Sequence, residues 1–467
     1  MDMNNKGIIA LFVLIFITGY LGYGQQNDNT YQFSLEQAKA FALQNNLEQK
    51  NAELDIYAAQ KRVWETTAIG LPQISGSVNY QHIPGEIPTV DIGGGIGETF
   101  GAIFEALIEL GYDPGKLPDM DEGETEPATI AQKNSTTYSV TVSQLVFSGE
   151  YIVGLQASRT FLQISQLSQE KKELDIKNNI TSSYITINVL ESNKAIIDSS
   201  IENVEKLLAE TRAMAEQGFL ESTDVDQMEL TLNNLKNSAS NIQRQIDVSY
   251  ILLKIQMGLD KNATITLTED LEQVQSDIMP PDNGLPAYNV ENTVTYRILE
   301  NQVEASELSL KREKSTYLPS ISAFYQYSDK TNKATFDFTI NHVIGVNVSV
   351  PIFSSFQRNA RVEQAKVELE KVKNNRELSI DNLQMQAQQA RFNYLSAKEK
   401  YQNALRNAEL SETILERTTV KYKEGMTSSL ELTQANNQFL DAQSSENQAL
   451  MELLNAKVAY DKLLNQL

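Results

Sequence analysis

The chain contains no cysteine, two histidines and a single tryptophan, Trp64, among 467 residues. The lack of cysteine excludes disulfides, thiolate chemistry and lipid attachment to a mature N-terminal cysteine. Basic residues are also few, 39 against 61 acidic ones, which gives a formal net charge of −22. Because binding of nucleic acid requires a basic surface, we expect no nucleic-acid partner.

Glycine and proline are scarce, with 22 and 11 residues. Long stretches are rich in Ala, Leu, Glu, Lys, Gln and Asn instead, which is typical of extended helices. The two histidines, His82 and His342, stand outside any cluster of metal-ligating residues, and no nucleophile motif, P-loop or dinucleotide fingerprint is present. We therefore expect no enzyme, and we assign no catalytic, cofactor-binding or metal site.

One long apolar run lies near the N-terminus, where Lys6 precedes Ile8–Gly24. A basic residue, an apolar run and a small-x-small pattern at Gly22 and Gly24 predict a cleaved signal peptide over residues 1–24. The alternative is a short membrane anchor. No later segment is long and apolar enough for a transmembrane helix, so any later crossing would be made by strands.

Three landmarks occur twice in the same order, which indicates an internal duplication. The pairs are LPQIS (71–75) with LPSIS (318–322), QLVFSG (144–149) with VPIFSS (350–355), and EQGFLESTDVDQ (216–227) with KEGMTSSLELTQ (423–434). These pairs align Phe147 with Phe353 and Gly218 with Gly425. We interpret residues 25–259 and 289–467 as the two repeats, joined by a linker or equatorial segment at 260–288.

Each repeat is predicted to contain a helix, two strands and a long helix that is broken once. Period-2 alternation places the strands at 73–82, 135–147, 320–328 and 335–350, and the long helices follow at 148–259 and 354–466. Proline ends a helix and favours extended geometry before it, so Pro72 and Pro319 mark two helix-to-strand transitions, and Phe147 and Phe353 mark the return to helix.

The second long helix carries a regular 4-3 series of mostly small residues, typical of a coiled-coil seam. The series is Leu383, Ala387, Ala390, Tyr394, Ala397, Tyr401, Ala404 and Ala408. Small residues allow helices to approach closely, and several copies of such a helix would form a curved wall. An ordinary two-stranded coiled coil is the alternative.

Four amphipathic strands are too few for a barrel, which needs about eight. Two copies of the chain would supply eight strands and a plugged interior, whereas three would supply twelve and room for a channel. Aromatic residues near the strand ends fit an interfacial girdle in a membrane; a soluble sandwich core is the alternative. These residues are Tyr80, Tyr138, Tyr325, Tyr327, Phe336 and Phe338.

The loop at 83–134 joins the first two strands and is the main difference between the repeats. It contains a glycine run (93–95), an apolar stretch (100–110) and an acidic stretch (119–126). A solvated extracellular loop is one interpretation, and a lid over a pore mouth is the other. The spacing of its carboxylates does not match an EF-hand loop, so it supports no metal site.

The ordered landmarks, from FSLEQAKAFALQNN (33–46) to the C-terminus, resemble the TolC-type outer-membrane efflux proteins. The resemblance implies a mainly α protein with membrane β structure. It further implies a homotrimer with a twelve-stranded barrel in outer-membrane lipid, continued by a trimeric α-barrel of coiled-coil helices that holds most of the mass in the periplasm.

The resemblance also implies an efflux channel that works with a periplasmic adaptor protein and an inner-membrane transporter, which supplies the energy. A conduit for type I protein secretion is an alternative within the same family. An exported coiled-coil structural or adhesion protein without a pore is an alternative from another class.

The candidate functional residues follow the glycines that break the long helices, Gly218 and Gly425. Ser222 and Ser429 are predicted to cap the next helices, and Asp224 and Glu431 are predicted to lie in their first turns.

The resemblance places both breaks at the periplasmic tip of the pore. It implies that Glu431 forms an acidic ring selecting cations and that Gln434 occupies the second, here uncharged, ring position. It further implies that Asp224 and Tyr422 hold the tip shut, and that Thr427 replaces a basic partner.

Overall fold

A computed structural model describes residues 30–87, 89–90, 109, 128–129, 131–279, 285–334, 337 and 339–467. Most of these residues are helical. The helices are α1 (Leu35–Asn45), α2 (Leu47–Ala68), α3 (Gly149–Glu216), α4 (Ser222–Met257), α5 (Leu271–Ile278), α6 (Val294–Ser315), α7 (Gln357–Lys423) and α8 (Ser429–Leu463). The prediction of a mainly helical chain with a few strands is confirmed.

In the described part of the chain, eight strands form three separate sheets. The strands are β1 (Thr30–Phe33), β2 (Gln73–His82), β3 (Thr89–Val90), β4 (Ala128–Thr129), β5 (Asn134–Ser148), β6 (Thr264–Leu267), β7 (Ser320–Thr331) and β8 (His342–Ser349). β1 pairs with β6 in parallel, and β3 pairs with β4. The main sheet is antiparallel with the order β2-β5-β7-β8.

The chain divides into two compact units, and each combines segments of both predicted repeats. The helical unit comprises the segment that ends at Glu53, together with Gln169–Val294 and Asp381–Leu467; the sheet unit comprises Leu54–Ser168 and Thr295–Ile380. The two predicted repeats are therefore not separate bodies, since strands and helices from both pack together in each unit.

In the helical unit, α3 with α4 and α7 with α8 form two antiparallel hairpins. Arg212 pairs with Glu229 and Glu205 with Lys236 across the first hairpin, at 3.2 and 2.7 Å. In the second, Tyr394 packs near Leu453. All eight residues of the predicted seam are buried or half-buried. The seam is therefore a packed helix face.

A second core of the helical unit surrounds the short strands. Phe33 of β1 and Ile265 of β6 lie in a cluster with Ile180 of α3. The hydroxyl of the buried Tyr184 donates to the carbonyl of Phe33 at 3.1 Å. The linker that was predicted at 260–288 thus supplies β6 and α5 to this core, while residues 280–284 lie outside the described part.

The main sheet of the sheet unit has one apolar and one polar face. The apolar face is exposed in the single chain; the exposed fractions of Ile74 and Ile344 are 74% and 83%. This face comprises Ile74, Val78 and Tyr80 of β2, Tyr138, Val140 and Val142 of β5, Ile321, Tyr325 and Tyr327 of β7, and Ile344, Val346 and Val348 of β8. Among the described residues, no helix is both long and apolar enough to cross a bilayer.

Over the described residues of the strand predicted at 335–350, β8 runs from His342 to Ser349, and 339–341 and 350 lie outside it. Asp337 accepts a hydrogen bond from the backbone N–H of Thr339 at 3.1 Å, and the side chain of Asn341 donates to the carbonyl of Ser328 at 3.0 Å. The bond to Asp337 is local, and local side-chain bonds compete with strand pairing. Phe336 and Phe338 of the predicted girdle lie outside the described residues.

Two other boundaries also differ from the prediction. β7 continues to Thr331 rather than to residue 328, because its last residues pair with Thr136–Tyr138 of β5. α7 begins at Gln357 rather than at 354, since Ser355 and Phe356 have positive φ angles of 47° and 62° that a right-handed helix does not allow. Of the predicted loop 83–134, only short pieces that include β3 and β4 are described.

Phe324 lies on the polar face, against the alternation of its strand, and the structure gives the reason. Its cross-strand partner is Gly345, and a Cβ on that glycine would lie 2.6 Å from the phenyl ring. The ring therefore occupies the space that a side chain at position 345 would need.

We expect Gly345→Val to destabilise the sheet by about 1–3 kcal/mol, because the new side chain would overlap the ring of Phe324. Thermal unfolding of the detergent-solubilised protein measures the effect. The double variant Gly345→Val, Phe324→Ala should recover most of the loss. An equal loss with and without the phenyl ring would contradict this explanation.

Candidate functional site

The candidate site is formed by the two segments that interrupt the long helices, Gln217–Glu221 and Glu424–Ser428, here called the paired turns. Both begin with the same backbone geometry. Gly218 and Gly425 have φ of 80° and 69°, and a Cβ on either would meet no atom within 4 Å. Glycine is thus favoured by the backbone conformation and not by crowding.

Each glycine ends its helix in a Schellman motif, which satisfies the last carbonyls of the helix. The N–H of Gly218 donates to the carbonyl of Ala215 at 3.0 Å, and the N–H of Phe219 donates to Met214 at 3.0 Å. Gly425 and Met426 repeat this pattern with Tyr422 and Lys421, at 2.9 and 2.8 Å. The paired turns therefore share one local design.

The caps of the following helices lie one residue earlier than predicted. α8 is capped by Ser428, whose hydroxyl accepts from the N–H of Glu431 at 3.3 Å. α4 is preceded by Glu221, whose N–H donates to the carboxylate of Asp224 at 3.4 Å. Ser222 and Ser429 are instead the first helical residues, and this frees their hydroxyls for other contacts.

The hydroxyl of Ser429 connects the two hairpins. It is buried, and its hydroxyl donates to the carboxylate of the half-buried Asp224 at the start of α4. The contact joins corresponding helix starts of the two predicted repeats. A cap in the predicted position would have used this hydroxyl on its own backbone.

A second polar contact joins α7 to α3 beneath the turns. The hydroxyls of Tyr422 and Thr211 are 2.7 Å apart, and both residues are buried. Because Thr211 donates to the carbonyl of Leu207 at 2.8 Å, its oxygen is free to accept from Tyr422. Burial raises the pKa of Tyr422, and the charges of Asp224 and Glu210 raise it further.

An apolar cluster lies around these two contacts and fixes the four helices at this end. It includes Leu208 of α3, Met228 of α4, Tyr422 of α7 and Leu432 of α8. The polar contacts are therefore surrounded by hydrocarbon, where a lost hydrogen-bond partner is costly.

Glu431 and Gln434 are exposed and lie three residues apart, so they share one face of α8. The carboxylate of Glu431 accepts a hydrogen bond from the hydroxyl of Thr427. Thr427, expected to replace a basic partner, therefore holds this acid within the same turn. No cation among the described residues is paired with Glu431, so its charge is available to the surroundings.

In the sheet unit, the helix-to-strand transitions lie at the two prolines. β2 begins directly after Pro72 and β7 directly after Pro319. Phe147 lies in β5 opposite Ile321, next to a bulge, whereas Phe353 follows β8 in an irregular segment and is 76% exposed. The paired turns and the transitions lie in different compact units.

Sequence patterns did not indicate three residues whose contacts are described above: Thr211 and Ser428 near the paired turns, and Gly345 in the main sheet. Thr211 lies mid-helix without a distinguishing pattern. Ser428 was passed over because three hydroxyl residues stand in a row at 427–429. Within the described residues, no group of three or more His, Asp or Glu side chains is arranged to hold a metal ion.

Comparisons with known proteins agree with this architecture. Residues 297–466 match the model of the outer membrane efflux protein family. The resemblance to outer membrane efflux proteins is confirmed. The matched efflux-protein domain begins in α6 and ends beyond α8, so it includes the second turn and its residues Glu431 and Gln434.

Solved structures match over nearly the whole chain. CusC, a protein for which transmembrane channel formation is described, shares 15% identity and covers 92% of both chains with a TM-score of 0.72. The CmeC outer membrane channel of Campylobacter jejuni shares 15% identity, with 92% and 85% of the two chains covered and a TM-score of 0.67.

VceC, an outer membrane protein of Vibrio cholerae, shares 14% identity, with 92% and 96% of the chains covered and a TM-score of 0.66. At these identities the matches establish the fold. A search of curated proteins found no significant match.

We expect Gly425→Ala to reduce stability by about 1–2 kcal/mol, because an L-residue is strained at positive φ. Gly154→Ala is the matched control: Gly154 is helical, and its nearest neighbour would lie 4.0 Å from the added carbon. That control should stabilise by about 0.5–1 kcal/mol. Denaturant unfolding measures both, and an equal effect at the two sites would refute the backbone argument.

Proposed function

We propose that this protein is the outer-membrane channel of a tripartite efflux pump. The observation that carries the proposal is the main sheet, whose apolar face and two edges are exposed in a single chain. A soluble protein does not leave such a face uncovered. The efflux-protein domain and the fold of the matched channels support the same assignment.

Three copies of the chain would satisfy the hydrogen-bonding groups at the two open edges of the main sheet. Unpaired strand edges are not tolerated in hydrocarbon, so the sheet needs neighbours at β2 and β8. Four strands from each of three chains give twelve, enough for an open lumen, whereas eight strands leave an interior that side chains fill. The apolar faces would then contact lipid, and the polar faces, with Ser77, Thr141 and Asn347, would line the lumen.

The long helices would continue this channel on the periplasmic side. α3 and α7 have 68 and 67 residues, so each extends about 100 Å at 1.5 Å per residue. An inner-membrane transporter, linked by a periplasmic adaptor protein, would deliver cargo and supply energy. This chain would contribute the passage, and the match of residues 297–466 to the outer membrane efflux protein family supports that role.

The paired turns would form the periplasmic gate. Opening requires the two helical hairpins of one chain to separate at this end. The Ser429–Asp224 and Tyr422–Thr211 contacts oppose that separation, because breaking either leaves polar groups near an apolar cluster. The Ser429–Asp224 hydrogen bond, from a hydroxyl to a carboxylate, is weaker than a charge pair. This weaker bond would suit a gate that a partner opens.

We expect the double variant Ser429→Ala, Tyr422→Phe to open the channel more often, because it removes both contacts and retains the apolar packing. Single-channel recording of open probability measures this effect. Thr419→Val is the control, since the hydroxyl of Thr419 donates at 2.8 Å to Leu415 of its own helix. Unchanged opening in the double variant would exclude these contacts from the gate.

In the trimer, Glu431 would supply one negative charge from each chain around the pore. Glu431→Gln should weaken cation preference, and Glu431→Lys should weaken it more strongly or reverse it. Gln434→Glu should strengthen the preference, because it adds charge on the same helix face. Reversal potentials across a salt gradient measure all three. Equal selectivity throughout the series would show that Glu431 does not influence which ions the channel conducts.

Conductance of the purified mature protein in planar lipid bilayers tests the function itself. We expect discrete steps with cation preference. Boiled protein in the same detergent is the control. A folded protein that neither conducts nor partitions into membranes would contradict the proposal and favour a structural coiled-coil protein.

A further inference from the structure

The polar face of the main sheet carries almost no charge. Side chains alternate along a strand, so this face consists of the residues that lie between the apolar ones. Most of them are Ser, Thr, Asn or Gln; the hydroxyls of Ser77 and Ser139, for example, lie 2.7 Å apart. Among the described residues of the four strands β2, β5, β7 and β8, Lys330 is the one charged residue on this face.

The register of β7 places Lys330 on the polar face. Lys330 lies opposite Thr137 of β5, whereas its neighbour Asp329 lies opposite Tyr138. Because Tyr138 belongs to the apolar face, Asp329 points to that side of the sheet and Lys330 points to the other. An acid and a base that are adjacent in sequence are thus separated by the sheet.

A second lysine at the same end of the sheet, Lys333, differs from Lys330 in its face and its partner. The Nζ of Lys333 lies 2.8 Å from a carboxylate oxygen of Asp329, so its charge is paired on the apolar side. In the described part of the chain, no acidic side chain forms an ion pair with Lys330. The charge of Lys330 therefore acts on its surroundings.

Lys330 lies at the loop end of the sheet. It follows Tyr325 and Tyr327 of the predicted girdle and stands one residue before Thr331, the last residue of β7. The helix-to-strand transition at Pro319 lies at the opposite end of this strand. Since the helices continue the proposed channel on the periplasmic side, Lys330 lies at the extracellular end of its lumen.

We propose that Lys330 of three copies forms a basic ring that binds multivalent anions at the extracellular mouth of the lumen. Rings of lysine or arginine side chains are the charge pattern of pores that select anions. The inference rests on the proposed trimeric channel, which places the polar faces around the lumen, and it adds an anion site to that channel. The ring has the opposite sign to the charge that Glu431 would supply at the gate.

The neutral surroundings make the ring effective. Hydroxyl and amide groups on the polar face, such as that of Thr137, carry no charge that would cancel the field of Lys330. Three like charges around one lumen repel each other, and a bound anion relieves this repulsion. The field extends about 10 Å at roughly 0.1 M salt but only about 3 Å at roughly 1 M salt, so the site should be sensitive to salt.

Block of the single-channel current by ferrocyanide, a compact tetravalent anion, tests the ring. We expect stronger block from one side of the bilayer than from the other, because Lys330 lies at one end of the lumen. Lys330→Gln should weaken the block by about tenfold, since the trimer loses three positive charges at once. Raising the salt concentration to about 1 M should weaken the block of the parent in the same way.

Lys333→Gln is the matched control. It removes an equal charge from the same end of the sheet, but from an existing ion pair on the apolar side. The block should therefore change by less than about twofold. An equal loss of block in Lys330→Gln and Lys333→Gln would overturn the assignment to the lumen face.

A relocated lysine gives a second test that depends on the face alone. Ser328 lies on the polar face, opposite Ser139. The double variant Lys330→Gln, Ser328→Lys returns three positive charges to the lumen, two residues along β7, and should recover most of the block. Block as weak as that of Lys330→Gln alone would contradict a ring that acts through its charge.

Reversal potentials separate this inference from the proposed function. Lys330→Gln should increase the preference for cations, whereas Glu431→Gln should decrease it. A conducting parent that ferrocyanide does not block, or a Lys330→Gln variant with the block of the parent, would overturn the anion site and leave the channel standing. A folded protein that does not conduct would overturn both.

Discussion

The backbone hydrogen-bonding groups at the two edges of the main sheet set the constraint on which the rest of the structure depends. Each of β2 and β8 leaves one row of N–H and C=O groups without a strand partner in the single chain. Water satisfies such groups at a soluble surface, but hydrocarbon does not. The exposed apolar face disfavours the first environment, and the open edges disfavour the second for one chain alone. In the proposed channel, association of several chains resolves both problems together.

The helical unit meets a different requirement in the proposed channel, in which it would have to be stable and yet able to separate at one end. Long antiparallel hairpins supply stability through a continuous packed seam. Near the paired turns, two hydroxyl contacts join the hairpins, Ser429 with Asp224 and Tyr422 with Thr211. Each is worth about 1 kcal/mol net, and more when one partner is lost and the other stays buried.

Sequence patterns predicted the large features well. Alternation located the strands, and glycine located the breaks in the helices, because both depend on local geometry. Boundaries set by individual hydrogen bonds were harder. Asp337 accepts a hydrogen bond from the N–H of Thr339 shortly before β8 begins, and the alternation of the sequence does not reveal this bond. The cap of α8 lies one residue before the predicted one, since adjacent hydroxyls at 427–429 are equivalent in sequence and differ only in their partners.

Features that arise between distant segments could not be predicted from one strand or helix. Phe324 is an apolar residue on the polar face of the main sheet, because Gly345 on the next strand leaves room for its ring. Thr211 gained its importance from Tyr422, more than 200 residues away. The division of the chain into two units that each mix both repeats has the same origin, because a repeat in sequence specifies corresponding elements and not where they pack.

The number of chains in one membrane-inserted particle is the most direct test of the account. Native mass spectrometry of the mature protein released from lipid nanodiscs gives this number without assuming any function. The account predicts three chains, because twelve strands both satisfy the sheet edges and leave a lumen. A particle of one or two chains would contradict it.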